Sequence, residues 1–384
     1  MDRVLRDIPH LVEVLREQSK RCKDKVVPAA AIDFVSDGDL LARIENGAYR
    51  IQEQAHAQFG AKYGIPMVYY SAMREKKAFH LLSINLNYWG KSPEILQKRY
   101  LVRFMDDSIR AFLSDRYRPI SHLDVLTTAV QVISGKDGDR EEPHARGARC
   151  FGWHVSPTRL DVAIMNPSIQ IDLDHLERGV QYNRAGLYDP DAPNHGWIRP
   201  EKGDPDQHWV FPAAFIGNSE TGHGGLSVQV GLYEAICDNT ARIGINLAQR
   251  HLGKTLEEDD FLSSETYRKM NAVIFAKVAD VISNAFDPRL LLDNARKMKS
   301  LAVVEVGVKE ALDNIVTLPG MTEDLRDDIL AAYQPLGDKE TLLDVQRAVT
   351  AAAHAVRQAD PDKAIMLEEF GGAIIERGRA ALVP

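Results

Sequence analysis

Cysteine is scarce in this sequence, and its scarcity narrows the field. Only Cys22, Cys150 and Cys237 occur in 384 residues, far apart and without a CxxC pair. That spacing argues against a disulfide frame or a cysteine-built zinc site, and suits reduced thiols in a cytoplasmic protein. His195, His208, His223 and His251 show no ligand spacing, so no metal and no other cofactor is expected. Long apolar runs are missing too. Nothing approaches the ~18 uninterrupted residues that a bilayer span needs, and no membrane partner is expected. The opening stretch MDRVLRDIPHLVEVL mixes acids into its apolar residues and has no signal-peptide core, so no export is expected.

An excess of positive charge is also lacking. The net charge is −8, which at face value argues against a nucleic-acid binder. Its distribution is uneven, however. Residues 1–120 hold 20 Lys/Arg against 15 Asp/Glu, residues 121–253 hold 11 against 17, and residues 254–384 hold 16 against 23. A basic first third lets one face meet a polyanion without making the whole chain basic. The composition, 45% hydrophobic and 27% charged, is that of a globular chain of about two or three domains.

What is present centres on residues 98–119. Tyr100, Val102 and Phe104 alternate with Arg99, Leu101 and Arg103, then Ile109, Ala111 and Leu113 alternate with Arg110 and Phe112. This period-2 pattern predicts two strands around an Asp106-Asp107 turn. A two-residue turn sets Met105 opposite Ser108 and Arg103 opposite Arg110. One face is then wholly apolar, and the other carries Arg99, Arg103 and Arg110 around Leu101 and Phe112. Like charges across a ladder repel, so the arginine face needs an anion, either the protein's own carboxylates or a bound phosphate. Arginines beside Phe112, with Arg116, Tyr117 and Arg118 following, are what a single strand requires: cations for its backbone and rings for its bases.

The rest of the chain reads in blocks. A helix is expected over 3–25, and a second from a cap at Ser36, Asp37 or Asp39 to Tyr63, where Gly64-Ile65-Pro66 breaks it. Leu123 to Ile133 suits a buried helix, 134–146 is a polar loop, and 149–165 forms a hairpin with Phe151 and Trp153 on one face. Residues 189–207 read as a long loop. Two more strands, 209–216 and 226–230, flank a glycine-rich loop at 217–225. From about Ser263 onward the period is helical. The expected fold is therefore α+β: a central curved, mostly antiparallel sheet of hairpins flanked by helices, with an all-α C-terminal region. The expected boundaries are 1–62 (helical N-terminal region), 63–253 (α+β core) and 254–384 (all-α).

Two loops invite chemistry. Residues 248–255 fit a loose phosphate-binding loop ending in Lys254-Thr255, but Gln249 to Leu252 favour helix and four acids follow, so a helix end at Gly253 is the simpler reading. In the 217–225 loop, glycines permit an amide nest for an anion, and Asn218, Ser219, Glu220 and His223 add donors and titratable groups. With His251 they form a candidate anion-binding or hydrolytic set. The alternative is a long turn whose polar side chains satisfy their own backbone.

Several runs together resemble a known family. Tyr63-Gly64-Ile65-Pro66, Asn85-Leu86-Asn87-Tyr88-Trp89 and Ser114-Asp115-Arg116-Tyr117-Arg118-Pro119 come first. Asn218-Ser219-Glu220-Thr221-Gly222, Ile236-Cys237-Asp238-Asn239, His251-Leu252-Gly253 and Ala348-Val349-Thr350 follow in order. The series resembles the phage- and plasmid-borne family termed domain of unknown function 932, departing from it at Asp238-Asn239-Thr240. The resemblance implies a role with mobile DNA. Its helices over a hairpin sheet are similar, more distantly, to single-strand annealing proteins of the RecT, Red-beta and Erf kinds. The expected function is non-enzymatic binding and annealing of single-stranded DNA by a homo-oligomeric ring or filament. Lys98, Arg99, Arg103, Arg110, Arg116, Arg118 and Arg149 would meet phosphates, while Phe112, Tyr117 and Trp153 would stack on bases. Two other classes stand beside it: a nucleotide or phosphoester hydrolase using Glu220, His223 and His251, and an interaction or host-defence scaffold.

Overall fold

Two sheets, each with its own helices, share the chain. The computed structural model describes residues 8–134, 148–182, 208–235, 239–249, 264–318, 320–333, 339–357 and 359–383. His251, most of the phosphate-loop lookalike, and most of the 134–146 and 189–207 stretches lie outside the described residues. The first body runs from α1 (Ile8–Arg21) through β1 (Cys22–Pro28), β2 (Ile32–Ser36), β3 (Leu40–Ile44) and β4 (Gly47–Ile51). Helices α2 (Glu53–Lys62), α3 (Met67–Glu75), α4 (Phe79–Gly90) and α5 (Pro93–Leu96) follow, then β5 (Arg99–Met105) and β6 (Ser108–Ser114). Its six strands lie in the order β1-β5-β6-β4-β3-β2, antiparallel except for the β4–β6 pair.

The helix expected from Ser36 towards Tyr63, and with it a helical region 1–62, gives way here to the strands β1 to β4. The reason is local. Asp37-Gly38 and Asn46-Gly47 are turn dipeptides. Gly38 at φ 68° and Glu45 at φ 53° take the left-handed backbone that these reversals need. Between the turns Ile32, Phe34, Leu40, Ala42 and Ile44 alternate inward and are all buried. Of the stretch from Ser36 to Tyr63 only Glu53–Lys62 is helical, and it packs on β6.

α6 (His122–Ile133), capped by the Ser121 hydroxyl on the Asp124 amide, leads to the second body. Its strands are β7 (Arg149–Val155), β8 (Leu160–Met165), β9 (Ile169–Asp172), β10 (Gln181–Tyr182), β11 (Trp209–Asn218), β12 (Leu226–Glu234) and β13 (Asn239–Gln249). They form one antiparallel sheet, β10-β9-β11-β12-β13, with β8 also on β11 and β7 on β8. A bulge between Cys150 and Gly152 separates Phe151 from Trp153, which were expected on one face. Phe151 packs with Phe215 and Tyr233, while Trp153 joins the main core on the other side. Helices α7 (Ser264–Ala285), α8 (Pro288–Leu301), α9 (Val308–Ile315), α10 (Glu323–Ala332), α11 (Leu342–Val356) and α12 (Pro361–Arg377) close the chain. The expectation of an α+β fold with an all-α C-terminal region is met.

Burial follows this division. The first core sits between the six-stranded sheet and α2 to α4, around Phe34, Phe59, Tyr63, Tyr100 and Phe112. The second and larger core gathers α1, α6, one face of the second sheet and the C-terminal helices. Each fully buried large apolar side chain contributes about 1.5–3 kcal/mol. In the second body α12 touches strand backbone: a Cβ at Gly372 would stand 1.8 Å from the Arg242 carbonyl oxygen. Arg242, wholly buried, grips Asp161 at 3.1 and 2.9 Å and Glu368 at 2.8 Å. One guanidinium thus ties β13 to β8 and α12.

Candidate nucleic-acid interface

The β5–β6 hairpin forms with Met105 opposite Ser108, as the turn predicts, but its ladder slips between Arg103 and Phe104. Arg103 faces Ala111, Phe104 faces Ile109, and Arg110 is left as an extra residue. A bulge of this kind shifts the alternation by one. Ala111 and Leu113 therefore turn to the side of Leu101 and Tyr117. Phe112 turns the other way, into the first core, where it stacks on Phe59 with ring centroids 4.0 Å apart. Fully buried there, Phe112 offers no face to a base.

The bulged Arg110 and its neighbour Arg103 are taken up internally. Arg110 is 1% exposed. It donates from Nε to the Pro157 carbonyl at 2.8 Å and from Nη1 to Glu220 Oε2 at 3.0 Å. Arg103 donates to Asp24 at 2.8 Å and to the Glu220 carbonyl. The other Glu220 oxygen accepts the His122 amide at 2.7 Å, at the N-terminus of α6, where a carboxylate is favoured. Burial pushes the Glu220 carboxyl up, but the fields of His122, Arg103 and Arg110 together with the His122 amide outweigh it and hold it below the usual carboxylate range. The repulsion inferred from sequence is thus relieved by two acids, Asp24 at Arg103 and Glu220, 110 residues away, at Arg110. Such a carboxylate, held ionised by its partners, is a poor general base near neutral pH.

The glycine-rich loop proves to be self-satisfying. Ser219 donates to the Thr158 carbonyl at 2.7 Å and accepts the amides of Thr221 and His223 at 3.3 and 3.0 Å. Asn218 is buried, with its amide nitrogen 2.9 Å from both the Ile120 carbonyl and His122 Nδ1. His223 is half exposed, 4.0 Å from Asp362. Tyr117, buried, donates to the Ser219 carbonyl at 3.0 Å and accepts the Gly222 amide at 3.1 Å. The runs 110–119 and 218–222, read separately in the sequence, are therefore two sides of one buried contact. A cavity of about 130 Å³ opens on it, lined by Cys22, Arg103, His122 and Glu220. Among the described residues no group of three or more His, Cys, Asp or Glu is placed to hold a metal ion.

The open end of the hairpin is different. Lys98, Arg99, Arg116 and Arg118 are exposed. Tyr100 pairs with Ser114 across the ladder, so both strands deliver their cations to the same end. Lys62, at the end of α2, joins them: its ammonium lies 5.9 Å from the centre of the Tyr100 ring. Burial lowers the Lys62 pKa, and the nearby charge of Lys98 lowers it further. Lys62, Lys98, Arg99 and Arg116 form no ion pair among the described residues. Trp89 is also exposed, and its chain neighbour Gly90 abuts Tyr63; a Cβ on that glycine would stand 2.9 Å from the Tyr63 ring.

Lys62 and Trp89 were not among the residues singled out by sequence. Their signal is a charge-free helix, 79–90, ending in Tyr88-Trp89 and bracketed by Lys62, Lys76, Lys77, Lys91 and Lys98. Of the remaining expected contacts, Arg149 opens β7 on the second sheet. Trp153 is half-buried, its ring 6.1 Å from His10.

Fold and site together define an α+β protein whose two sheets are joined through a buried arginine–glutamate centre, with a cluster of unpaired cations on the first. No helix among the described residues is long and apolar enough to cross a membrane. Compared with known proteins, the chain matches no family model, no curated protein and no solved structure.

Proposed function

We propose that the chain binds single-stranded nucleic acid at the open end of the β5–β6 hairpin, and that copies of it assemble in doing so. Lys62, Lys98, Arg99 and Arg116 meet phosphates, and Trp89 offers its ring to a base. One observation carries the reading: Lys98, Arg99 and Arg116 are exposed at one end of the hairpin and, like Lys62, form no ion pair among the described residues, with Lys98 close enough to Lys62 to add to the burial that depresses its ammonium pKa. Such a cluster is relieved by a polyanion, whose condensed counter-ions are released on binding. Base stacking on an exposed ring is worth about 1–3 kcal/mol and tolerates any sequence. The resemblance of the 63–66, 110–119 and 218–222 runs to phage- and plasmid-borne chains implies a role in recombination or replication of mobile DNA, and annealing rests on the more distant likeness to single-strand annealing proteins.

The test is fluorescence anisotropy with a labelled oligothymidine at several salt concentrations. Lys98→Glu with Arg99→Glu is expected to weaken binding at least tenfold and to flatten the salt dependence by roughly one unit of slope per lost phosphate contact. Thermal stability should be unchanged, because both side chains are exposed. Affinity that survives the double reversal removes this end of the hairpin from the reading.

A further inference from the structure

One small cavity in the second body is lined by more hydrogen-bond acceptors than its surroundings use. Glu234 ends β12 and Asn239 opens β13, and the two face each other across the ladder. Leu232 and Ala241, the next pair along on the same face of the pleat, belong to the main core. Glu234 and Asn239 are therefore turned inward with them. Met298 from α8 and Gln346 from α11 close the space. Its volume is about 10 Å³, room for one water-sized body.

Glu234 and Asn239 are 3% exposed and Gln346 1%. Glu234 Oε2, Asn239 Oδ1 and Gln346 Oε1 accept no hydrogen bond among the described residues. Neighbouring groups are already committed. Glu234 uses its other oxygen on Arg347, and Asn239 donates its amide nitrogen to the Arg347 carbonyl at 3.4 Å. The Thr240 hydroxyl, also on the cavity, donates to Glu368.

Three buried acceptors around a space for one body set the chemistry of what fits there. A buried acceptor without a donor is destabilising, and one water has only two protons to offer three oxygens. A spherical cation meets all three at once. One carboxylate and two carboxamide oxygens are hard ligands, of the kind that alkali and alkaline-earth ions take. Glu234 already carries the Arg347 guanidinium. A divalent ion would therefore leave two excess positive charges in the interior and a monovalent ion only one, and buried excess charge is costly. We propose that the cavity between the β12–β13 ladder and α11 binds a single alkali cation through Glu234 Oε2, Asn239 Oδ1 and Gln346 Oε1. Bound there, the ion fastens the ends of two strands to α11. The site is in the second body and does not depend on the nucleic-acid reading.

Thermal unfolding of the full chain tests it, with NaCl or KCl replacing N-methylglucamine chloride at constant ionic strength, since that organic cation is too large for the cavity. The midpoint should rise by roughly 3–5 °C as either alkali ion goes from about 1 to about 100 mM. Gln346→Met keeps the length of the side chain, removes its oxygen and should lose most of that rise. Asn239→Asp supplies a second carboxylate, and about 1 mM Ca²⁺ should then raise the midpoint of the variant but not of the wild type. A midpoint indifferent to Na⁺ and K⁺ overturns the proposal and leaves the cavity to a water molecule. So does a rise that persists in full in Gln346→Met, or an Asn239→Asp variant blind to Ca²⁺.

Discussion

Helix α4 and helix α11 lie on their respective sheets in opposite circumstances. α4 has no charged residue yet leaves Leu81, Ile84, Tyr88 and Trp89 exposed. α11 carries Asp344, Gln346, Arg347 and Thr350 yet buries all four. Arg347 is matched to Glu234, and Asp344 forms a capping box with Thr341. Polarity alone therefore does not decide what is covered here. The second body has enough helices to enclose its sheet and places partners for most of the polar groups it encloses. The first has one short helical layer and leaves its outer side open. Yet each body rests on a buried arginine, Arg110 in the first and Arg242 in the second.

The sharpest way to break that parallel is to remove the arginines. Arg242→Ala removes the guanidinium that Asp161 and Glu368 share, leaving Glu368 with Arg357 and Thr240, and Arg110→Ala leaves Glu220 with the His122 amide and Arg103. Arg242→Ala should cost about 3–5 kcal/mol in urea denaturation, because Asp161 loses the buried cation it hydrogen-bonds, and Arg110→Ala less, about 1–3 kcal/mol. A loss below about 1 kcal/mol at Arg110 would mean that the first body is not pinned in this way. Next in size is a pH effect. Burial pushes the His56 imidazole down to about 4, against roughly 6.5 when unfolded. Below pH 6.5 the unfolded chain takes up a proton that the folded one refuses, so stability should fall by up to about 3 kcal/mol between pH 6.5 and 4 and hold above 6.5. His56→Gln should flatten this slope; an unchanged slope assigns it to other groups.

Smaller again is Gly372→Ala, where the added Cβ forces α12 off β13; overpacking should cost about 1–3 kcal/mol by thermal melting. Smallest is Ile84→Asp, expected to alter folding stability by no more than about 0.5 kcal/mol. A large loss there would show that the open side of α4 supports the fold.

Much of the architecture is legible in the sequence, for physical reasons that also explain what is not. The hairpin reads correctly down to Met105 opposite Ser108, since alternation and a two-residue turn determine that register. The bulge at Arg110 does not, because nothing in Ser108-Ile109-Arg110-Ala111 marks where an extra residue will be absorbed. The cause is a distant one, Glu220. The strands between Ile32 and Ile51 were open to reading from Asp37-Gly38 and Asn46-Gly47, but helical spacing of Leu40, Leu41, Ile44 and Ile51 competes with those signals. For the site, Lys98, Arg99 and Arg116 were visible as cations, whereas Lys62 comes to Lys98 only through folding.

The slipped ladder at Arg110 has a consequence for length rather than composition. One supernumerary residue sets the phase of everything between Ala111 and Ser114. Pairing the same letters without the bulge would set Arg110 opposite Arg103, Ala111 opposite Val102 and Phe112 opposite Leu101, sending Phe112 away from Phe59 and Leu113 towards it. Ordinary substitutions at the exposed end alter one side chain each. Closing the bulge would instead exchange inside for outside along the strand, so the phase of this hairpin rests on one absorbed residue more than on the letters around it.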